Sequence, residues 1–185
     1  MILSPEARTR IDREVAKYPP GQKQSAVMSA LAIVQDENGW LSADAMDAVA
    51  HYLDMPSVAV YEVATFYSMY NLEPTGAFKL AICTNLPCAL QGAGEAAEHL
   101  QKRAGAAFGG TSDDGLFTLK EGACFGARGD APVVLVNNKR MCVKMVPARL
   151  DELLDELRAA AERGEGARNP VASAAAPDGT QGKAA

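Results

Sequence analysis

In the first part of the chain, apolar residues recur at intervals of three and four, the spacing of a helix face packed on a core. Ser4-Pro5-Glu6 predicts a helix start: a side-chain cap, a proline at the first helical position and an acid at the positive end of the dipole. Ala7, Ile11, Val15 and Tyr18 then share one face until Pro19-Pro20-Gly21. Val27, Met28, Leu31 and Val34 predict a second helix, stopped at Asn38-Gly39. Ser42 is expected to cap a third, with Met46, Val49, Ala50 and Leu53 inward, and Met55-Pro56 breaks it. Ser57 is expected to cap a fourth running through Val60, Val63, Ala64 and Tyr67. Residues 1–75 read as a four-helix unit, bounded by Pro74-Thr75-Gly76.

The period then changes to two. Phe78, Leu80 and Ile82 alternate with Lys79 and Ala81, predicting a strand that ends at Cys83. Ala89 to Arg103 reads as a helix despite Gly92 and Gly94. Leu116 to Leu119 reads as a short strand and Val133 to Val136 as another, joined through Asn137-Asn138-Lys139-Arg140 to a hairpin partner over Met141 to Val146. Pro147 opens a last helix with Leu150, Leu153, Leu154 and Leu157 inward. Strand, helix, strand, hairpin and helix over residues 76–163 make a small α/β sandwich, and the fold class of the whole is α+β. Residues 164–185, rich in Ala, Gly, Pro and Ser without periodicity, read as a disordered tail.

Composition narrows the function. Of 185 residues, 48% are hydrophobic and 22% charged, which fits a globular chain able to bury a core. A formal net charge of −5 with no basic run argues against nucleic acid as partner. With no long apolar run, no direct membrane insertion is expected. The polar start of the chain does not read as a signal peptide, and four cysteines in this length do not make a disulfide framework. A reducing cytoplasm is the expected location, with any membrane connection made through partner subunits.

Three of the four cysteines fall in two loops. Cys83-Thr84-Asn85-Leu86-Pro87-Cys88 is a C-x4-C pair at a strand end, and Gly122-Ala123-Cys124-Phe125-Gly126-Ala127-Arg128 is a Gly-rich loop with one cysteine. Small and glycine residues let backbone amides approach a buried anion. The helix after Cys88 is expected to aim its N-terminus at the same place, which suits a thiolate–metal group. The C-x4-C spacing is too wide for a common zinc knuckle or a C-x-x-C dithiol, while iron–sulfur clusters are held by loops of this kind. A buried structural role for each thiol is the rival reading.

The residues resemble a known family, the thioredoxin-like [2Fe–2S] ferredoxin subunits of respiratory NADH-quinone oxidoreductase. The likeness covers about residues 5–160. It rests on Gln35-Asp36-Glu37-Asn38-Gly39-Trp40-Leu41, Tyr61-Glu62-Val63-Ala64-Thr65-Phe66-Tyr67, Cys83-x4-Cys88, Asp114-Gly115-Leu116-Phe117 and Ala131-Pro132-Val133. The resemblance implies a helical docking unit followed by a thioredoxin-like domain. It implies a [2Fe–2S] cluster bound by Cys83, Cys88 and Cys124, with a flavin-bearing NADH-oxidising subunit and an adjacent iron–sulfur subunit as partners. The same module serves NAD-linked formate dehydrogenases and NAD-reducing hydrogenases. The family pattern in the second loop is C-x3-C, and Arg128 stands where its second cysteine belongs. A guanidinium is permanently charged and is a poor metal ligand. A labile or missing cluster is therefore expected, with Asp130, Cys142 or water as the substitute ligands to consider, and a purely structural subunit as the alternative.

Other residues invite simpler readings. Cys142 lies on an apolar hairpin, and His51 and His99 stand alone in helical stretches. Tyr61, Phe66, Tyr67 and Tyr70 read as core or subunit interface. Gly105 to Gly110 lacks the lysine and context of a phosphate loop, so no NAD or flavin site is expected in this chain. A thioredoxin-type dithiol role would need Cys83 and Cys88 to form a disulfide, which the spacing disfavours.

Overall fold

A computed structural model describes residues 3–166. Four helices come first: α1 (Pro5–Val15), α2 (Val27–Asn38), α3 (Ala43–Leu53) and α4 (Ser57–Phe66). Ser4 and Ser42 cap α1 and α3 through their hydroxyls, which accept from Ala7 N and Ala45 N. Gly39 ends α2 in the left-handed conformation that glycine adopts without penalty. Ser57 is not a cap: the capping position is Pro56, which has no side-chain acceptor, and Ser57 is the first helical residue. Ile11, Leu31, Val34, Leu41, Val49, Leu53 and Val60 form one buried cluster among these helices. Each such side chain stabilises the unit by roughly 1.5–3 kcal/mol through apolar burial. Tyr18, placed on the inner face of α1 by spacing, lies beyond the helix end and is exposed.

The chain then builds a four-stranded sheet in the order β2-β1-β3-β4. Strand β1 (Phe78–Cys83) pairs parallel with β2 (Phe117–Gly122) and antiparallel with β3 (Val134–Val136), which pairs antiparallel with β4 (Arg140–Cys142). The parallel register carries Cys83 level with Gly122. This extends β2 past the apolar run Leu116–Leu119 through Lys120 and Glu121, because backbone pairing, not side-chain alternation, sets its length. Asn137 and Asn138 both have positive φ (50° and 58°), the geometry of a two-residue hairpin turn. Strand β4 covers only the start of the expected Met141 to Val146 partner, and its Cys142 lies opposite Val134.

The stretch expected as one helix from Ala89 to Arg103 is two. A single turn, α5 (Leu86–Ala89), carries Cys88; Gly92 at φ 86° breaks the path, and α6 (Ala93–Ala104) follows. Helices α6 and α7 (Pro147–Glu162) cover one sheet face, where Leu80, Ile82, Leu100, Phe117, Leu119, Leu150 and Leu154 are buried. Every residue of β1 is buried, including Lys79, which strict alternation placed at a polar position. The segment after α4 ties the helical unit to the sheet's other face. Gln35 donates to Met69 O (3.1 Å) and accepts from Asn71 N (2.6 Å), while Lys79 Nζ donates to Met69 O (3.2 Å) and Asn71 Oδ1 (2.9 Å). Among the described residues no helix is long and apolar enough to cross a membrane. Of the expected tail, residues 167–185 lie outside the described residues.

Candidate functional site

The site forms where β1 and β2 end side by side. Cys83 closes β1, its N–H donating to Val133 O (2.9 Å), and Thr84 N donates to Gly122 O (3.2 Å) at the end of β2. The Thr84 hydroxyl also donates to Glu121 Oε1 (2.7 Å), so the strand end is held by backbone and side chain together. The chain turns at Asn85, whose carbonyl accepts from Ala89 N (2.9 Å) and starts α5. That turn points Cys88 inward, leaving Leu86 and Leu90 exposed. Cys83, Cys88, Ala93 and Val133 form a small buried cluster, with Phe125, Ala127 and Ala131 packed against it. The expected helix N-terminus beside Cys88 belongs to a single turn, because Gly92 delays the longer helix to Ala93.

The second loop leaves β2 at Gly122. A Cβ there would collide with the Phe125 ring, so glycine is required for the ring to fold back over the strand end. Cys124 is exposed, and its sulfur accepts from Gly126 N (3.4 Å). Gly126 takes φ 81°, a backbone state that favours glycine. Arg128 opens a single 3-10 turn ending at Asp130, and the loop is anchored on exit by Lys144 N to Asp130 O (2.8 Å) and Met145 N to Pro132 O (2.9 Å).

Cys83, Cys88, Cys124 and Arg128 line one cavity. The environments of two of the thiols oppose each other. Burial, then the neighbouring Cys83 thiol, pushes Cys88 up. The Gly126 N–H on the sulfur, then the Arg128 guanidinium, holds Cys124 down. Each effect follows from which protonation state is solvated or paired. Cys142 is elsewhere: half-buried on β4, it lines a separate groove with Arg140, Arg149 and Glu156, and burial raises its pKa. Asp130 is exposed and does not line the cysteine cavity. His99 is engaged with Asp151 at 2.9 Å and does not line the cysteine cavity.

Among the described residues no three His, Cys, Asp or Glu side chains are arranged around one metal ion. A binuclear cluster divides its ligands between two irons, so it asks for two pairs. Cys83 and Cys88 are neighbouring thiols, and Cys124 is the third thiol of the same cavity. Arg128 lines the same cavity with a cation that offers no lone pair to iron. The donors present therefore do not complete a four-thiolate set.

Residues 11–158 match the family model described as thioredoxin-like [2Fe–2S] ferredoxin. The E-type subunit of NADH-quinone oxidoreductase from Rickettsia felis is 39% identical over 143 residues, covering 77% of this chain and 85% of the relative. The second E-type subunit of the Rhizobium meliloti oxidoreductase is 40% identical over 153 residues, covering 83% and 89%. Among solved structures, the NAD+-reducing [NiFe]-hydrogenase in the H2-reduced state is similar in fold. Its TM-score is 0.60 at 22% identity, over 70% of this chain and 22% of that one. With the four-stranded sheet, the paired loops at its strand ends and these relatives, the chain belongs to the thioredoxin-like [2Fe–2S] ferredoxin family.

Proposed function

We propose that this chain is the thioredoxin-like electron-transfer subunit of an NADH-oxidising complex, in keeping with relatives that are E-type subunits of NADH-quinone oxidoreductase. On this reading residues 1–75 dock it onto the flavin-bearing subunit, and residues 76–163 form the ferredoxin unit beside the adjacent iron–sulfur subunit. The complex sits at the cytoplasmic face of the membrane, and this chain does not enter the bilayer. Cys83, Cys88 and Cys124 are the ligands of a [2Fe–2S] cluster that is labile, since its fourth thiolate is replaced by Arg128. The carrying observation is that Cys83, Cys88, Cys124 and Arg128 line one cavity, three thiols and a guanidinium that helps hold the Cys124 pKa down. A cation there offsets negative charge on a thiolate, which raises the potential of any cluster so held.

The same observation favours a second reading, a subunit that has lost its cluster and buttresses the flavoprotein. A Cys124 sulfur that accepts the Gly126 N–H and has a guanidinium lining the same cavity is served without a metal. The fold likeness to the hydrogenase supports a variant in which the partner module belongs to such an enzyme.

Iron analysis and low-temperature EPR of the dithionite-reduced protein test the proposal. The native chain is expected to retain well under two irons after aerobic purification. The Arg128→Cys variant is expected to retain about two, with an S = 1/2 signal, as the [2Fe–2S] stoichiometry requires. Two irons per native chain would overturn a labile site. Native chain that takes up no iron even on anaerobic reconstitution, yet assembles with its partners, would select the buttress.

A further inference from the structure

We propose that the cleft between the helical unit and the open face of the sheet binds a small organic phosphate, with its phosphate on Lys79 and Lys120 and its apolar body along the cleft walls. The cleft holds about 610 Å³, within the usual range of small-molecule sites. It runs from the Asn137-Asn138 turn to the second cysteine loop. Ala32 and Met69 line its helical side, and Ala81 and Leu135 its sheet side.

The floor of the cleft carries the recognition chemistry. Lys79 is 3% exposed, a burial that charged side chains rarely reach without a partner of opposite charge. Its Nζ donates to Met69 O (3.2 Å) and Asn71 Oδ1 (2.9 Å), and Lys120 Nζ donates to the same Asn71 oxygen (3.3 Å). Two ammonium groups thus converge on one neutral acceptor. Each ammonium has three N–H donors, so both retain donors for a ligand.

The acids around them are engaged or distant. Asp36 on α2 is paired with Lys139 Nζ (2.8 Å) and Arg10 (3.7 Å), and Glu121 accepts from Thr84. Glu73 acts on Lys120 only from beyond ion-pair range. Among the described residues no carboxylate lies within 4.0 Å of either Lys79 or Lys120. Burial first and Lys120 second push Lys79 down to about 7, so the group is poised between states at neutral pH. Buried charge without a counter-charge is unfavourable, and the molecule can relieve it by losing a proton or by accepting an anion. Two cations are matched by a dianion. A phosphate monoester approaches two negative charges near neutral pH, and lysine recognises phosphate as a point charge. The apolar walls distinguish an organic phosphate from the free ion.

Titration calorimetry of the full chain near pH 7 with phenyl phosphate, inorganic phosphate and phenol tests this. Phenyl phosphate is expected to saturate one site, at least about tenfold tighter than inorganic phosphate, with phenol silent. Binding is expected to take up a proton, because an anion beside Lys79 raises its pKa from about 7. The heat then varies with the ionisation enthalpy of the buffer, and affinity falls as the pH is raised from about 7 to 9. Lys120→Gln, at a half-buried position, should weaken binding about tenfold, and Lys79→Met should remove both binding and proton uptake. Three results would each overturn the proposal: no saturable binding of phenyl phosphate at millimolar concentration, equal affinity for inorganic and phenyl phosphate, or binding unmoved in both variants.

Discussion

The two cysteine loops lie side by side and are built in opposite ways. The first is part of the fold. Cys83 and Cys88 are 2% and 3% exposed, and the backbone between them is fixed by the strand pairing and by one turn of helix. The second is laid over the surface. Cys124 and Arg128 are exposed, and local contacts position them: the Gly126 N–H on sulfur, the Phe125 ring on Gly122, and the anchors to Lys144 and Met145. Changing a residue in the first loop disturbs the core, whereas changing one in the second alters chemistry and little else. An arginine is accommodated at 128, where the side chain reaches solvent. At 83 or 88 an arginine would be buried.

That contrast can be broken by experiment. The largest difference is expected from introducing a carboxylate. In the metal-free protein, Cys83→Asp should lower the unfolding free energy by about 3 kcal/mol or more, because the charge is buried beside Val133 without a partner. Cys124→Asp should stay within about 0.5 kcal/mol. Equal losses in chemical denaturation would end the distinction.

Thiol reactivity should differ next. Because Cys124 is held below and Cys88 pushed above the ordinary thiol pKa, the thiolate of Cys124 forms at lower pH. Iodoacetamide labelling of the metal-free chain near pH 7, mapped by peptide mass, should modify Cys124 on the order of tenfold faster than Cys88. Arg128→Gln removes one stabiliser of the thiolate, so its labelling profile should move to higher pH. An unmoved profile would show that the guanidinium does not act on the sulfur.

The smallest effect sharpens how the loops touch. Gly122→Ala should cost about 1 kcal/mol by displacing the Phe125 ring. Because the obstacle is the end of a side chain, Phe125→Ala in the same chain should recover most of that loss. Additive losses in the double-mutant cycle would mean that the two residues do not couple.

Much of this architecture was legible in the residues. The helix faces of Ile11, Leu31, Val49 and Val60 follow from a period of 3.6, and all are buried in one cluster. Ser4 and Ser42 cap helices as expected. Where local patterns misled, a non-local term won or a backbone break intervened. Gly92 broke a helix that composition allowed to continue. Strand β2 lengthened through Lys120 and Glu121 because β1 pairs with it residue by residue. Lys79 looked like the solvent side of an amphipathic strand, yet the segment carrying Met69 and Asn71 lies over it. No spacing rule could place that cover, since the contacts join residues of the helical unit to the sheet.

By itself the sequence determined the kind of elements, the change of period near Pro74-Thr75-Gly76 and the chemistry on offer, three thiols and an arginine in two loops. Those are local properties, carried by side-chain type and spacing. Only the tertiary structure decided what these groups meet. The parallel register of β1 and β2 sets the two loops at one cavity, and separates Cys142 from it on the far strand of the sheet. The packing of the helical unit on the open sheet face buries Lys79 beside Lys120 and leaves a cleft over them. Juxtaposition across long chain distances depends on which surfaces pack together, and that is fixed by the summed burial of the whole chain, not by any single stretch.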